Sequence, residues 1–292
     1  MIIPMRKRRH SSKPVNEKFP WPCPQLPVIL RWDSTNRIGS CSLHYHPGVF
    51  ELYFVRKGAC RYLINRRFFS PAGYTAFIIK PPRPHQFFND TNRWHQQVVM
   101  MVDKTMLAGR PAAALIEKLS EKIPLSGEEL NMIEMRCRMI ERELHHPADS
   151  SRTMARNELE NILLLLQRAD RGKTAVEPAD PRIIKVIHRI ETDYAGDLSI
   201  GRLASAVAMS PGHLSHLFKQ QTRIGIKQYI LQCRIAEARV SLETEEEVKL
   251  SALAQRLGFC DMSLFYRCFQ RFTGMTPGAY RRISHKNHRI RQ

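Results

Sequence analysis

Hydrophobic and polar positions change texture along this chain. From Val28 to about Asp103 apolar residues come in short runs (PVILRW, GSCSLHYH, VFELYFVRKG, CRYLINRRFF, YTAFIIK, HQFFN, HQQVVMMV) separated by Pro, Gly and Asn. Runs of that length at 8 to 12 residue spacing predict six or seven strands, and with no helical stretch between them they point to a small all-β barrel or sandwich. From 104 to 169 the period becomes helical. Met132, Ile133, Met135, Met139, Ile140 and Leu144 make one apolar stripe, and Leu159, Ile162, Leu163 and Leu166 make another. The first is expected to pack on the strands and the second to offer a dimerisation face. The polar run DRGKTAVEPADP, with its Gly and Pro residues, reads as an interdomain linker, after which Pro181 suits the first turn of a helix.

Beyond Pro181 the pattern is helical and written twice. The stretch from Gly258 to Arg282 reads as a turn, a basic amphipathic helix and a second, Pro-started helix, with Leu264, Phe265, Phe269 and Phe272 on one face. VKLSALAQRLG supplies a shorter amphipathic helix just before it, stopped by Gly258. Two helices joined by a Gly-containing turn make a helix-turn-helix pattern. The same layout occurs earlier: Leu203-Ala204 precedes Leu253-Ala254 by 50 residues, Phe218 precedes Phe269 by 51 and Tyr229 precedes Tyr280 by 51. IKQYILQCRIAEARVSLE, apolar at helical spacing, is long enough to join the two units rigidly.

Tandem helix-turn-helix units on a connecting helix resemble the DNA-binding domain of the AraC/XylS family of bacterial transcription regulators. The resemblance covers roughly residues 181–283 and rests on Gly258-Phe259, Phe265, Phe269, Gly274, Thr276-Pro277 and Tyr280-Arg281. It implies a sequence-specific regulator with double-stranded DNA as partner. The second helix of each unit enters the major groove, so readout falls to its outward face. In the first unit that face is Gly212, His213, Ser215, His216 and Lys219, of which Gly212, Ser215 and His216 match the base-facing places of the family motif. In the second it is Met262, Ser263, Tyr266 and Arg267, with Arg267 suited to guanine. Lys249, Arg271, Arg281 and Arg282 are the candidates for phosphate. Arg223 stands where the first of these helices normally ends in Gly, so its cap is expected to differ.

Charge changes the picture by its placement. The 292 residues hold 46 Lys+Arg against 27 Asp+Glu, a formal charge of +19, and the pI is about 10.0. Residues 1–103 carry 16 basic and 5 acidic side chains, 104–177 carry 12 of each, and 178–292 carry 18 and 10. A positive C-terminal region suits a polyanion. The basic start MIIPMRKRRHSSKP and the Pro-rich stretch through Pro27 read as a disordered tail; no apolar core follows the basic residues, which excludes a signal peptide. The longest apolar run, Ile162 to Leu166, is too short to span a bilayer. Seven cysteines without a Cys-x-x-Cys pair fit reduced thiols in a bacterial cytoplasm.

One constellation in the strand region carries chemistry: Gly39, His44-Tyr45-His46, Glu51 and Gly58, then Gly73, Pro81-Pro82-Arg83-Pro84-His85 and Asn89. It resembles the paired motifs of the cupin barrel, with Pro82 where that pattern has Gly. His44 and His46 share one face of an extended chain, and a turn at Pro47-Gly48 can bring Glu51 to that face. Arg83, Arg93 and Trp94 are candidate rim residues, Trp94 for stacking on a sugar ring. Three readings stand for His44, His46, Glu51 and His85: ligands of a Zn, Mn or Fe(II) ion, a polar pocket for a sugar or other small molecule, or structural histidines.

The expected architecture is multidomain: a basic and Pro-rich tail (1–27), a cupin-like effector-sensing barrel (28–103), a helical connector (104–169), a linker (170–180), an all-α domain of two helix-turn-helix units (181–283) and a basic tail (284–292). The expected function is a ligand-responsive regulator, not an enzyme and without a cofactor. The resemblance implies a carbohydrate or related metabolite as effector, a homodimer, and RNA polymerase as a partner open to it. Two rivals are a metal-dependent cupin enzyme fused to the DNA-binding domain and a constitutive regulator whose barrel only dimerises.

Overall fold

The computed structural model describes residues 21, 23, 25–35, 43–89, 93–172, 177–245 and 248–289. Most of the expected N-terminal tail, Gly39 and the centre of the expected linker lie outside them. The N-terminal half is β-rich: β1 (Val28–Thr35), β2 (Val49–Lys57), β3 (Arg61–Ile64), β4 (Arg67–Phe69), β5 (Thr75–Ile79), β6 (His85–Phe88) and β7 (His95–Asp103). Then come α1 (Pro111–Lys118), β8 (Lys122–Pro124), α2 (Gly127–His145), α3 (Ser151–Ala169) and β9 (Glu177–Pro178). The remainder is helical: α4 (Pro181–Thr192), α5 (Ile200–Ser205), α6 (Pro211–Thr222), α7 (Ile226–Thr244), α8 (Leu250–Arg256), α9 (Met262–Thr273) and α10 (Pro277–Arg289).

Hydrogen bonding divides the strands into two antiparallel sheets, one of order β1-β7-β2-β5-β8 and one of order β6-β3-β4-β9. Among the described residues no ladder joins them into a ring, so the expectation of a closed cupin-like barrel is corrected to two facing sheets. Of the segment GSCSLHYH only residues 43–46 are described. Within it the described residues pair only at a single bridge, His44 with His85, on the free edge of β6.

Alternation along the strands then sets four layers. Tyr53, Val55, Tyr62, Ile64, Phe77, Phe87 and Val99 meet between the sheets. The other face of the larger sheet, Phe50, Leu52, Phe54, Ile78, Val98 and Met100, packs on α1, α2 and α3. The other face of the smaller sheet is also covered: Leu63, Phe68 and Phe88 share one core with Ile183, Ile187, Leu203, Leu214, Phe218 and Tyr229. That explains why β3 is buried at every position, where a strand with one wet face would alternate.

Two helical expectations shift. On α2 the buried stripe is Leu130, Ile133, Cys137 and Ile140, while Met135 and Met139 are exposed; one stripe holds residues three or four apart, and Met135 stands two positions off it. On α3 the stripe offered for dimerisation, Leu159, Ile162, Leu163 and Leu166, is buried in the chain's own core.

Candidate histidine cluster and nucleic-acid interface

Glu51 sits at the start of β2, facing inward two residues before Tyr53. A turn at Pro81-Pro82, closed by Arg83 N–H donating to the Lys80 carbonyl at 2.9 Å, leads into β6 with His85 facing the same interior. His44 is fastened beside His85 by two backbone hydrogen bonds of 3.0 and 2.8 Å. Three imidazole nitrogens thereby converge on one oxygen, Glu51 Oε1: His46 Nε2 at 2.8 Å, His85 Nε2 at 3.1 Å and His44 Nε2 at 3.9 Å. One ligand atom from each of the four residues lies within 4.8 Å of the rest. The other carboxylate oxygen accepts from the Tyr53 hydroxyl at 2.7 Å. Burial alone would raise the Glu51 pKa, but His85, His46 and His44 outweigh it and hold the carboxyl well below the usual carboxylate range. Three imidazoles and a carboxylate are a donor set for Zn, Mn or Fe(II).

The helical half repeats its own hydrogen bonds. Ser210 caps α6 by accepting from His213 N–H at 3.2 Å, and Asp261 caps α9 by accepting from Ser263 and Leu264 N–H at 2.9 and 3.0 Å. At the far ends Thr222 and Thr273 each donate a hydroxyl to the carbonyl four residues back, Phe218 and Phe269, at 2.7 Å. They accept from Ile224 and Met275 N–H at 3.3 Å. Buried Tyr229 donates to Glu191 at 2.5 Å, and Tyr280 likewise to Glu243. Both helices end on a left-handed residue, Arg223 at φ 65° and Gly274 at φ 81°. The expected difference in the first cap is therefore corrected: Arg223 adopts the conformation that glycine adopts in the second.

Packing of Leu214 and Phe218 on one side, and of Phe265, Cys268, Phe269 and Phe272 on the other, turns the remaining faces outward. Gly212, His213, His216 and Lys219 are exposed on α6 and Ser215 is half-buried; Ser263, Tyr266, Arg267 and Arg271 are exposed on α9 and Met262 is half-buried. Lys249, ahead of α8, is also exposed. The 19-residue α7 between the units spans about 28 Å at 1.5 Å per residue.

A helix-turn-helix domain family matches residues 203–283. An arabinose operon regulatory protein of Escherichia coli is 31% identical over 132 residues, 45% of this chain and 44% of that protein. Residues 203–283 are a helix-turn-helix domain of the AraC/XylS type. An uncharacterised HTH-type transcriptional regulator of Escherichia coli, YdiP, is 22% identical over 244 residues, 82% of this chain and 80% of that one. The match thus spans four fifths of YdiP but under half of the arabinose regulator. The DNA-binding domain of AdpA in complex with a target DNA aligns with 37% of this chain and 96% of its own at 22% identity, with a TM-score of 0.35.

Three site expectations need correction. Arg281 is half-buried and donates to the Val248 carbonyl at 2.9 Å, so its charge ties α10 to the segment before α8 instead of facing phosphate. Trp94 precedes β7, in which Met101 lies opposite Glu51; seven extended residues place the exposed indole roughly 20 Å along the sheet from the histidines. Arg83 pairs with Glu121.

Sequence reasoning missed the groups that join the two halves. Arg61 is buried, donates to the Gln220 carbonyl at 2.7 Å, pairs with Glu177 and lies over the Phe68 ring. Glu191 Oε1 accepts from Leu43 N–H at 3.0 Å, Gln86 Nε2 at 2.8 Å and Tyr229. Its counterpart in the second unit is Glu243, 52 residues on, which accepts from Tyr280 as Glu191 does from Tyr229.

Proposed function

We propose that the chain is a sequence-specific transcription regulator that reads two successive major-groove faces with α6 and α9 and is controlled by a small molecule held at the histidine end of the facing sheets. The repeated geometry of the two units carries the DNA reading: a side-chain N-cap and a left-handed C-cap on each helix, matching Thr and Tyr bonds, and largely exposed outward faces. Gly212, His213, Ser215, His216 and Lys219 face one groove; Met262, Ser263, Tyr266 and Arg267 face the next, with Lys249, Arg271 and Arg282 toward phosphates. Sequencing the genomic fragments that the purified protein retains tests this, and a scrambled duplex that competes as well as every retained fragment at physiological salt sinks it.

For control, the cluster of His44, His46, Glu51 and His85 is the effector site. A carbohydrate or related metabolite is the organic class that family resemblance supports; titration of retained DNA with candidate sugars tests it. A homodimer through the connector fits the apolar residues left exposed there, Met135 and Met139 on α2 and Met154 and Leu164 on α3. Sedimentation equilibrium reads the stoichiometry directly.

A further inference from the structure

The two helix-turn-helix units share a tyrosine–glutamate pair but complete it from different places. In the second unit the buried Tyr280 hydroxyl donates to Glu243 and accepts from Arg239 Nε at 3.1 Å. Arg239 and Glu243 lie on α7 and Tyr280 on α10, so the arrangement is internal to the helices. In the first unit Tyr229 donates to Glu191 at 2.5 Å. Arg239 stands four residues before Glu243, but four before Glu191 stands Ile187, whose side chain has no donor. The donor comes from the smaller sheet instead. Gln86 Nε2 on β6 donates to the Tyr229 hydroxyl and, at 2.8 Å, to Glu191, and Leu43 N–H donates to the same carboxylate oxygen at 3.0 Å.

The apolar cores divide in the same way. Among the described residues, the buried members of the second core lie on α7, α8, α9, α10 and the turns between them. The first core takes in Leu63, Phe68 and Phe88 of the smaller sheet. The Phe88 ring centre is 5.6 Å from that of Tyr229, which is 5.8 Å from that of Phe218 on the buried side of α6. An aromatic row therefore runs from strand to recognition helix, and a close-packed interior passes on displacement along such a row. Near the end of α6, Arg61 of β3 donates to the Gln220 carbonyl at 2.7 Å.

We propose that Gln86 and Arg61 are positioning residues for DNA reading: they set α6 from the smaller sheet, so the first unit reads its groove in the orientation that the N-terminal half imposes, while α9 reads the next groove on a core of its own. This rests on the reading of α6 and α9 as the helices that enter two successive grooves. On β6 His85 faces inward beside Glu51 and Gln86 outward onto Tyr229. An effector at the histidine end thus bears on one half-site and leaves the other unchanged.

The test uses the full chain and a genomic duplex that the wild type retains, with single base-pair changes placed across its footprint. In the wild type a change in either half-site is expected to cost about tenfold in affinity. Gln86→Leu and Arg61→Met are expected to become indifferent to changes in one half-site and to keep the full cost in the other. Arg239→Met and Arg267→Ala should show the reverse pattern. Hydrogen exchange on the DNA-free proteins gives a second readout: Gln86→Leu should speed amide exchange in 211–222 and leave 262–273 at the wild-type rate, with circular dichroism verifying the fold. Equal loss at both half-sites overturns the proposal, as do full discrimination at both and loss at the half-site that Arg267→Ala loses. Exchange that quickens in both helices, or in neither, overturns it as well. A wild type that discriminates in neither half-site sinks the two-groove reading and the role in DNA reading with it, whereas discrimination that Gln86→Leu leaves intact sinks the positioning role alone.

Discussion

The side-chain amide of Gln86 donates to the phenol of Tyr229 across the joint between β6 and α7, and both residues are buried there. The Tyr229 hydroxyl in turn donates to Glu191 at 2.5 Å. Burial first, and Glu191 after it, push the Tyr229 pKa well above the usual phenol value, so it acts only as a neutral bridge. Gln86→Leu and Tyr229→Phe should each cost about 1 to 3 kcal/mol, because each leaves a buried partner short of a hydrogen bond. Urea denaturation of the double variant should show less than the sum. Strict additivity would mean that the two groups are not coupled.

Arg61 makes the second tie across this joint. Its guanidinium, 4% exposed, holds the Gln220 carbonyl at the end of α6 and pairs with Glu177 of β9. Arg61→Met keeps the stem over Phe68 and removes the donors. It should lower stability by about 1 to 3 kcal/mol, which urea denaturation reads.

Arg223 occupies the left-handed region at φ 65°, where a side chain costs about 1 kcal/mol relative to glycine. Arg223→Gly should therefore raise the thermal midpoint, by an amount set by about 1 kcal/mol less the extra chain entropy of glycine. Gly274→Ala, at the equivalent place in the second unit, should lower it. Calorimetric unfolding of both variants checks the pair, and equal signs would contradict the shared geometry.

Gly58 lies against His95 so closely that an added Cβ would stand 2.0 Å from its Nδ1. Gly58→Ala should destabilise by about 1 to 3 kcal/mol, as overpacking does, and His95→Ala should relieve part of that. Burial pushes the His95 pKa below its ordinary 6.5. Above that pH the ring is neutral in folded and unfolded chains alike. Below it the unfolded chain takes up a proton that the folded one resists, so stability falls progressively as pH drops from about 6.5. His95→Leu should flatten that acid limb in denaturation curves measured between pH 5 and 7.

Arg267 and Arg281 look alike in sequence and should behave differently. Arg267 is exposed on the outward face of α9, and Arg267→Ala should cost about 1 to 3 kcal/mol of operator affinity while sparing nonspecific binding. Arg281 is spent on the Val248 carbonyl. Arg281→Ala should lower stability and leave the salt dependence of DNA binding unchanged. A salt slope reduced by about one would return Arg281 to the phosphate set.

The chain's own pattern determined the tandem units, because a repeat of 50 to 51 residues in apolar anchors, caps and tyrosines is written locally and survives reading one segment at a time. It determined most of the strands too, and the shared face of His44 and His46, since both follow from a period of two; β8 and β9 left no such pattern. Which surfaces meet was a tertiary decision. Met135 stands outside the buried stripe of α2, because a mixed apolar stripe admits more than one phase until a sheet packs against it. Arg61 and Arg281 carry charges that read as solvated or phosphate-facing, and only the fold reveals the carbonyls that consume them. His85 joins Glu51 from 34 residues away, and Gln86 joins Tyr229 from 143. Contacts at such separations leave no periodic trace, because local hydrophobicity records that a face is buried and not what buries it.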